Sequence, residues 1–578
     1  MSTPEWSLWA PRVQALEIEL VDEQRCIPAR RAADGTFTLE RSLIIGPYML
    51  VLDEKERILD PRAAHVDEVL GPGRLVDIHT DVAGFRPVPL HDGVVYELHI
   101  GTFTDAGTFD SAIDKLDSLV QLGITHVEIM PIATWSGARN WGYDGAALFA
   151  PTRTYGGPEG LQRFVIAAHA RGIAVLLDVV YNHLGPIGNH LERLGPYFRT
   201  DRHTPWGSAL NFDGAGSDHV RRFFLDNALA WMRDYGCDGL RIDAIHAITD
   251  SSAHPFLAEL AEEVALLSQV TGRPLCLVAE SDLNDPRVVL SSEQGGIGMD
   301  AQWCDDFHHA LHVVLTGEKT GYYLDYAPPT TGSQWAYVAR ALEDGFVYTG
   351  QRSESRDRRH GAPLPDAVPL SRLVCYAQTH DQVGNRAKGD RLSQLVSTGK
   401  QRVAAALLLT SPFVPMLFAG EEWGASTPFL FFTDHRDDYI ADETRNGRRR
   451  EFAHFGWKAD EMVDPQHEDT FMRSKLRWDE ASHAPHAALL AWHRQLIALR
   501  HAEPELRAAA RHSIVATAKD ALLIVRRGRF VVVANLGAPV HHELPGPARM
   551  VLAGEPETTL SGTTLQVATD GVAIVQLF

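Results

Sequence analysis

Only five cysteines occur in 578 residues (Cys26, Cys237, Cys276, Cys304 and Cys375), with no Cys-x-x-Cys pair and an odd total. That excludes a disulfide framework and points to buried free thiols in a reduced, cytosolic setting. The opening "MSTPEWSLWAP" lacks a basic segment followed by an apolar one, and no window approaches the 18 or more apolar residues of a membrane span. The sequence therefore predicts an unexported, soluble chain with no membrane partner. Positive charge is in deficit: 54 Lys and Arg stand against 75 Asp and Glu, a net charge of −21. Such a field repels phosphate backbones and excludes nucleic acid as an expected partner. No GxGxxG follows the first strand candidate, and no HExxH or comparably tight spacing of His with carboxylate speaks for zinc, although His plus carboxylate leaves a metal site conceivable. What is present is ordinary globular composition, 45% apolar and 22% charged. The length suggests about three or four domain-sized units, or one large barrel with attachments.

From about residue 94 to residue 423 one unit recurs: an amphipathic helical stretch, a glycine, then a short apolar run ending in polar residues. "FDSAIDKLDSLVQLG" sets Ile113, Leu116, Leu119 and Val120 on one stripe, stops at Gly123 and is followed by "ITHVEIMP". "PEGLQRFVIAAHARG" leads into "IAVLLDVVYNH", "DHVRRFFLDNALAWMRDYG" into "GLRIDAIH", and "HPFLAELAEEVALLSQVTG" into "RPLCLVAES". With "VVYELHIGTF", "GMDAQWCDD", "LVCYAQTHD" and "FVPMLFAGEEW" the count reaches roughly eight strands, each near-continuously apolar as strands covered on both faces should be. The expected fold is α/β, a (β/α)8 TIM barrel; a doubly wound open sheet is the alternative. Residues 1–88 and 510–578 instead show short alternating runs broken by Gly and Pro, such as "ALEIEL" and "LLIVRRGRFVVVANLG". They predict an N-terminal β-sandwich and a C-terminal all-β domain around a catalytic unit at 89–509. Within that unit residues 319–370, with "GQRSESRDRRHGAPLP", read as a long irregular insert whose arginines are solvated or paired with carboxylates.

"GLRIDAIHAITD" (239–250) places Arg241, Asp243 and His246 in an otherwise apolar run, which is costly unless the charges are paired or sit at an open end. In a barrel the C-terminal strand ends form the active site. There the sequence offers Asp178, Asn182 and His183; Arg241, Asp243 and His246; Glu280; and His380 with Asp381. Arg241 and Asp243 are two apart and share a strand face, so the guanidinium favours the carboxylate that a nucleophile needs. Glu280 comes 37 residues after Asp243, one βα unit, on the neighbouring strand at similar height. Two such carboxyls can stand about 5–5.5 Å apart, the separation of retaining glycosidases, with repulsion keeping the less stabilised one protonated as the acid. A third, Asp381, would anchor hydroxyls and stabilise a developing oxocarbenium ion. A single strand-end Asp is often only the N-cap of the next helix, but four strand ends furnished together are poorly explained that way.

At these residues the chain resembles the α-amylase clan, glycoside hydrolase family 13, through "DVVYNH" (178–183), "GLRIDAIH" (239–246), "AE" (279–280) and "THD" (379–381). The resemblance implies a retaining double displacement with Asp243 as nucleophile, Glu280 as general acid/base and Asp381 as transition-state stabiliser. It implies a sugar subsite lined by Tyr143 of "WGYD", His183, Arg241 and His380, with further substrate contacts from Asp144, His246, Trp206, Asp305, Asp306, Phe307, Gln382 and Arg386. No cofactor or metal is implied. Trp141, Trp206, Trp303 and Phe307 are candidate aromatic platforms for sugars. "LWAP" (8–11) resembles the N-terminal sandwich of the glycogen-active and trehalose-forming branches, and "DDFHHALHVVLTGE" (305–318) and "PFLFFTDH" (428–435) resemble the trehalohydrolase branch. That branch implies a maltooligosyl trehalose or maltodextrin substrate and a maltooligosyltrehalose synthase as functional partner. A 1,4-α-glucan branching enzyme, which passes its glycosyl group to a 6-hydroxyl, shares the trio and remains the alternative; a silent glycan-binding scaffold is a third. Departures from the pattern are Ile187 and His190 in "GPIGNH", where an acidic residue and Tyr are usual, Cys304 where Asn is usual, and Thr379 where Asn commonly precedes the His-Asp pair.

Overall fold

The computed structural model describes residues 5–327, 332–452, 462–507 and 511–578. Eight parallel strands close a barrel: β1 (Val95–Leu98), β2 (His126–Ile129), β3 (Ala174–Val179), β4 (Gly239–Ile242), β5 (Cys276–Ala279), β6 (Ala301–Trp303), β7 (Leu373–Tyr376) and β8 (Val414–Phe418), with β8 pairing back to β1. The closed order settles the choice between barrel and open sheet. The inward residues follow the two-residue strand period. Val95, Leu176, Val278, Ala301, Val374, Val414 and Met416 form an apolar layer low in the barrel, broken by buried Glu128 of β2 opposite Leu176. One step further along the same face stand Glu97, Asp178, Arg241, Trp303 and Tyr376, so the barrel is mostly oily below and charged at its C-terminal mouth.

The helices that return the chain pack outside, as their apolar stripes require. Phe256–Thr271 buries Phe256, Leu257, Leu260 and Val264 and ends at Gly272, whose φ of 64° is left-handed backbone that glycine adopts without a Cβ clash. The stretch expected as one helix before Gly123 is two, Phe109–Ile113 and Leu116–Leu122; Thr108 and Ser111 form a closed capping box at the start of the first.

At the N-terminal side Leu16–Leu20 and Tyr48–Leu52 pair antiparallel and alternate buried with half-buried, as the sequence predicts. Trp6 Nε1 and Tyr48 Oη both donate to one oxygen of buried Asp60, at 2.7 and 2.6 Å. At the other end a five-stranded sheet (Ile514–Lys519, Leu522–Arg527, Phe530–Asn535, Gly571–Leu577, Ala548–Ala553) and a three-stranded one enclose Val531, Val533, Leu565, Val567 and Val575. The expected boundary at 509/510 lies outside the described residues.

Among its described residues the insert at 319–370 is only partly irregular. It holds a 3-10 stretch (Gly321–Tyr326), a helix (Ala336–Asp344) and a small hairpin (Arg352–Ser353 with Arg358–Arg359). The charge-rich composition hid apolar Val338, Ala339, Ala341 and Leu342, which bury the helix. Ser333 Oγ donates to the Asp520 carbonyl at 2.6 Å and Trp335 Nε1 to that of Ala521 at 2.8 Å, so the insert clasps the C-terminal sheet. Arg356 pairs with Asp282 at 2.9 Å, the carboxylate pairing the sequence suggested.

Candidate active site

Arg241 organises the barrel mouth. It is fully buried, and Nη1 donates to both oxygens of Asp178 (2.9 and 2.8 Å) and to Asp243 Oδ1 (2.7 Å), while Nη2 lies 3.7 Å from Glu280 Oε2. Its guanidinium lies 4.4 Å from the Trp303 ring centroid, a cation–π contact that covers the face water would otherwise solvate. Asn182 Nδ2 donates to the second Asp243 oxygen at 2.7 Å. Both Asp243 oxygens therefore accept charge-assisted or amide hydrogen bonds in fixed directions.

The strand register sets the height of the two central carboxyls. Ile242 lies opposite Ala279 on the β4–β5 pair, and the Glu280 N–H donates to the Ile242 carbonyl at 2.9 Å, so residues 243 and 280 leave adjacent strands at the same level. Ala244 then turns with φ 39°, a left-handed conformation that costs a non-glycine residue energy. That turn aims its N–H at Glu280 Oε2, 2.6 Å away. Burial pushes Glu280 well above the usual carboxyl range; Arg241 restrains the shift, and Asp243, Asp381 and Asp305 add to it. Since Oε2 already accepts from Ala244 and faces Arg241, the proton belongs on Oε1.

Asp381 sits in the first turn of a short helix (His380–Gly384), open to the cleft. Desolvation works against its charge, yet adjacent His380 and then Arg241 hold it down at about 2. Thr379 caps that helix: its Oγ1 accepts the Asp381 N–H at 3.2 Å, and Gln382 Oε1 accepts from the Thr379 N–H at 2.9 Å. This departure thus keeps the capping chemistry of the expected Asn. Cys304 likewise fits its buried place, with Sγ 3.5 Å from the Gly345 carbonyl.

Tyr143 Oη donates to Asp178 at 2.7 Å and stands 2.8 Å from His380 Nε2, tying the loop after β2 into the cluster. Burial pushes Asp178 up to about 7, opposed by Arg241 and reinforced by Asp243. His183 Nε2 bonds the Tyr143 carbonyl at 3.0 Å, and Trp206, 51% exposed at a hairpin tip, stacks on His183 with centroids 5.2 Å apart. Asp144 accepts from Asn140 at 2.6 Å with His435 3.6 Å away. Asp305 accepts from Tyr376 Oη and, at 3.4 Å, from Gln382 Nε2; burial pushes it up to about 7. Arg386 grips Glu318 at 2.7 and 2.8 Å.

Two expected contacts, Phe307 and Asp306, fall elsewhere. Phe307 is wholly buried against Phe413 in the main core. Asp306 accepts from Asn284, Tyr326 and the Val347 and Tyr348 N–H groups, so its oxygens are spent on holding the insert. His246 is exposed on the turn Ile245–Ala247, with Asp282 as its charged neighbour. The helix Asp305–Thr316 explains the first two: neighbours differ by about 100° around a helix, so only Asp305 of the "DDF" triplet faces the cleft. Trp141 and Trp303 are buried too; Trp141 stacks on Phe429 (5.2 Å, 18°) and supports the cluster from behind. Sequence reasoning missed Glu97, Glu128 and Ala244. The first two carried the same signal as Arg241, a charge inside an apolar strand run. Among the described residues no three His, Cys, Asp or Glu side chains form a metal-holding group, and no helix is long and apolar enough to cross a membrane.

The family model for the α-amylase catalytic domain matches residues 80–193. A malto-oligosyltrehalose trehalohydrolase of Mycobacterium tuberculosis is 43% identical over 582 aligned residues, covering 98% of this chain and 99% of the relative. A 1,4-α-glucan branching enzyme of Leifsonia xyli is 32% identical over 36% of this chain and 32% of its own length. A crystal structure of a Salmonella typhimurium protein superposes with a TM-score of 0.88 at 37% identity, covering 99% of this chain and 97% of that one. With identity running through the barrel and both flanking β regions, the chain belongs to the malto-oligosyltrehalose trehalohydrolase family, within the α-amylase glycoside hydrolases.

Proposed function

We propose that this protein hydrolyses the α-1,4-glucosidic bond next to the terminal trehalose of maltooligosyl trehalose, releasing trehalose and a shortened maltooligosaccharide, with retention of configuration. The observation that carries the reading is identity to a trehalohydrolase across 98% of the chain, set against a branching-enzyme likeness confined to 36%. Asp243 attacks the anomeric carbon as Glu280 Oε1–H protonates the departing glycosidic oxygen; the C–O bond to trehalose breaks and a glycosyl ester forms on Asp243. Glu280, now ionised, takes a proton from water, whose oxygen displaces Asp243 and restores both carboxyls. Asp381, held ionised, stabilises the positive charge that builds on the sugar ring in each step. Trp206 offers the exposed aromatic face for a glucose ring. The substrate points to a cytoplasmic maltooligosyltrehalose synthase as the enzyme working upstream.

Incubation with maltooligosyl trehalose and, separately, with amylose tests this. Free trehalose from the first is expected. New α-1,6 linkages in the second, without trehalose from the first, would replace hydrolysis by branching.

A further inference from the structure

The barrel holds charge deeper than these steps use. Glu97 on β1, 1% exposed, meets His380 twice: Oε1 accepts from ring Nδ1–H, and Oε2 accepts the His380 main-chain N–H at 3.0 Å. The other ring nitrogen, Nε2, lies 2.8 Å from Tyr143 Oη and 3.3 Å from Asp381 Oδ1. Tyr143 has one hydroxyl proton, which goes to Asp178, so towards His380 its oxygen can only accept. Every polar group the ring meets is therefore an acceptor, and the ring satisfies them only with both nitrogens protonated.

We propose that Glu97 is a positioning residue for the reaction, holding ring and main chain of His380 together so that a doubly protonated imidazole stays aimed at Tyr143 and Asp381. The proposal rests on the reading of Asp381 as the group that stabilises the developing cation. The titratable groups facing His380 are Glu97 on β1, His99 just beyond it, Glu128 on β2, Tyr143 after β2 and Asp381 on its own helix. Trp141 and Trp303 close its remaining sides, with centroids 5.4 and 6.2 Å away. Burial opposes charge on His380, but Asp381 and Glu97 outweigh it and hold the imidazole well above its ordinary range. Burial pushes His99 down to about 3, so it adds no charge at neutral pH, and pushes Glu128 well up, with Glu97 raising it further. Glu97 is thus the acidic partner of His380 that stands away from the cleft and leaves Nε2 free to face it. A carboxylate orienting a functional imidazole through Nδ1 fixes both tautomer and direction, and losing such a partner costs about 10- to 100-fold where the imidazole is a metal ligand, a scale taken here as a guide.

Glu97→Gln keeps the shape but offers one acceptor where His380 presents two donors. The expected result is a fall in kcat of about 10- to 100-fold with KM little changed, as for an interaction felt mainly in the transition state. With maltosyl fluoride, whose fluoride leaves without a proton from Glu280, the alkaline limb of the pH profile should move to lower pH. Glu97→Asp, which keeps the charge, should leave that limb near its original position. Nitrogen-15 histidine NMR on the intact enzyme, with His380 assigned by its loss in His380→Gln, should show both ring nitrogens protonated at pH 8. A wild-type His380 that deprotonates near 6.5, or a Glu97→Gln enzyme that slows with its alkaline limb unmoved, overturns the proposal. If Glu97→Gln does not fold, the wild-type spectrum and Glu97→Asp still decide it. Failure of the wild type to release trehalose would instead remove the substrate reading, leaving the NMR result to stand on its own.

Discussion

Replacing Arg241 by lysine keeps a positive charge in the barrel mouth but removes the planar fork, which makes it a sharp test of how the cluster works. A lysine ammonium stops near where the arginine Cζ lies, about one bond short of Nη1. The contacts to Asp178 and Asp243 at 2.7 to 2.9 Å would open to about 4 Å. At an effective dielectric of about 20, that stretch weakens each attraction by about 2 kcal/mol. If the Asp243 share alone is lost in the transition state, kcat/KM falls about 30-fold, and more where the lost hydrogen bond misaligns the carboxylate. The sign of the pH effect follows as well. Glu280 is raised by burial and restrained by Arg241, so weakening the cation lets Glu280 keep its proton to higher pH. The alkaline limb for maltooligosyl trehalose, where Glu280 must donate, should move upward. Steady-state kinetics from pH 5 to 9, with a thermal melt to confirm the fold, read both effects. A kcat/KM within threefold of wild type, or a limb that moves downward, would refute the account of Arg241 as the organiser of the site.

Asp243→Asn should abolish turnover with the melting curve kept, since the amide can still fill the site but cannot form the glycosyl ester; undiminished hydrolysis would discard Asp243 as nucleophile. Glu280→Gln should lose far more rate on maltooligosyl trehalose than on maltosyl fluoride, and lose the alkaline limb that Glu280 sets on the natural substrate; equal losses on both would leave Glu280 without a role as proton donor. Trp206→Ala should raise KM by about 2- to 12-fold through loss of one aromatic face of about 0.5–1.5 kcal/mol, with kcat nearly kept; an unchanged KM in oligosaccharide titrations would place the sugars elsewhere.

The barrel and its central carboxyls were legible because they obey short rules. Arg241 and Asp243 are charges in a run that is otherwise apolar, and Glu280 follows one βα unit later, which the β4–β5 register converts into equal height. Glu97 and Glu128 bear the same mark within "VVYELH" and "HVEIM": each is the penultimate residue of its strand, as Asp178 and Arg241 are of theirs. What could not be read is rotation. "DDF" begins a helix at Asp305, so consecutive residues point about 100° apart, and Asp306 and Phe307 turn to the insert and core. Nor does composition reveal that a segment rich in arginine folds around Val338 and Leu342, because that burial depends on a sheet nearly two hundred residues away.

The clasp between the insert and the C-terminal sheet has a consequence for anyone shortening this protein. Ser333 and Trp335 fasten on Asp520 and Ala521, and a few residues upstream the same insert carries Tyr326, which with Val347 and Tyr348 grips Asp306 beside the cleft. Cutting away the final sheet would remove both anchors and loosen the insert that holds Asp306, the neighbour of Asp305. A trimmed barrel would then keep Asp243 and Glu280 on their strands while the support behind Asp305 slackens.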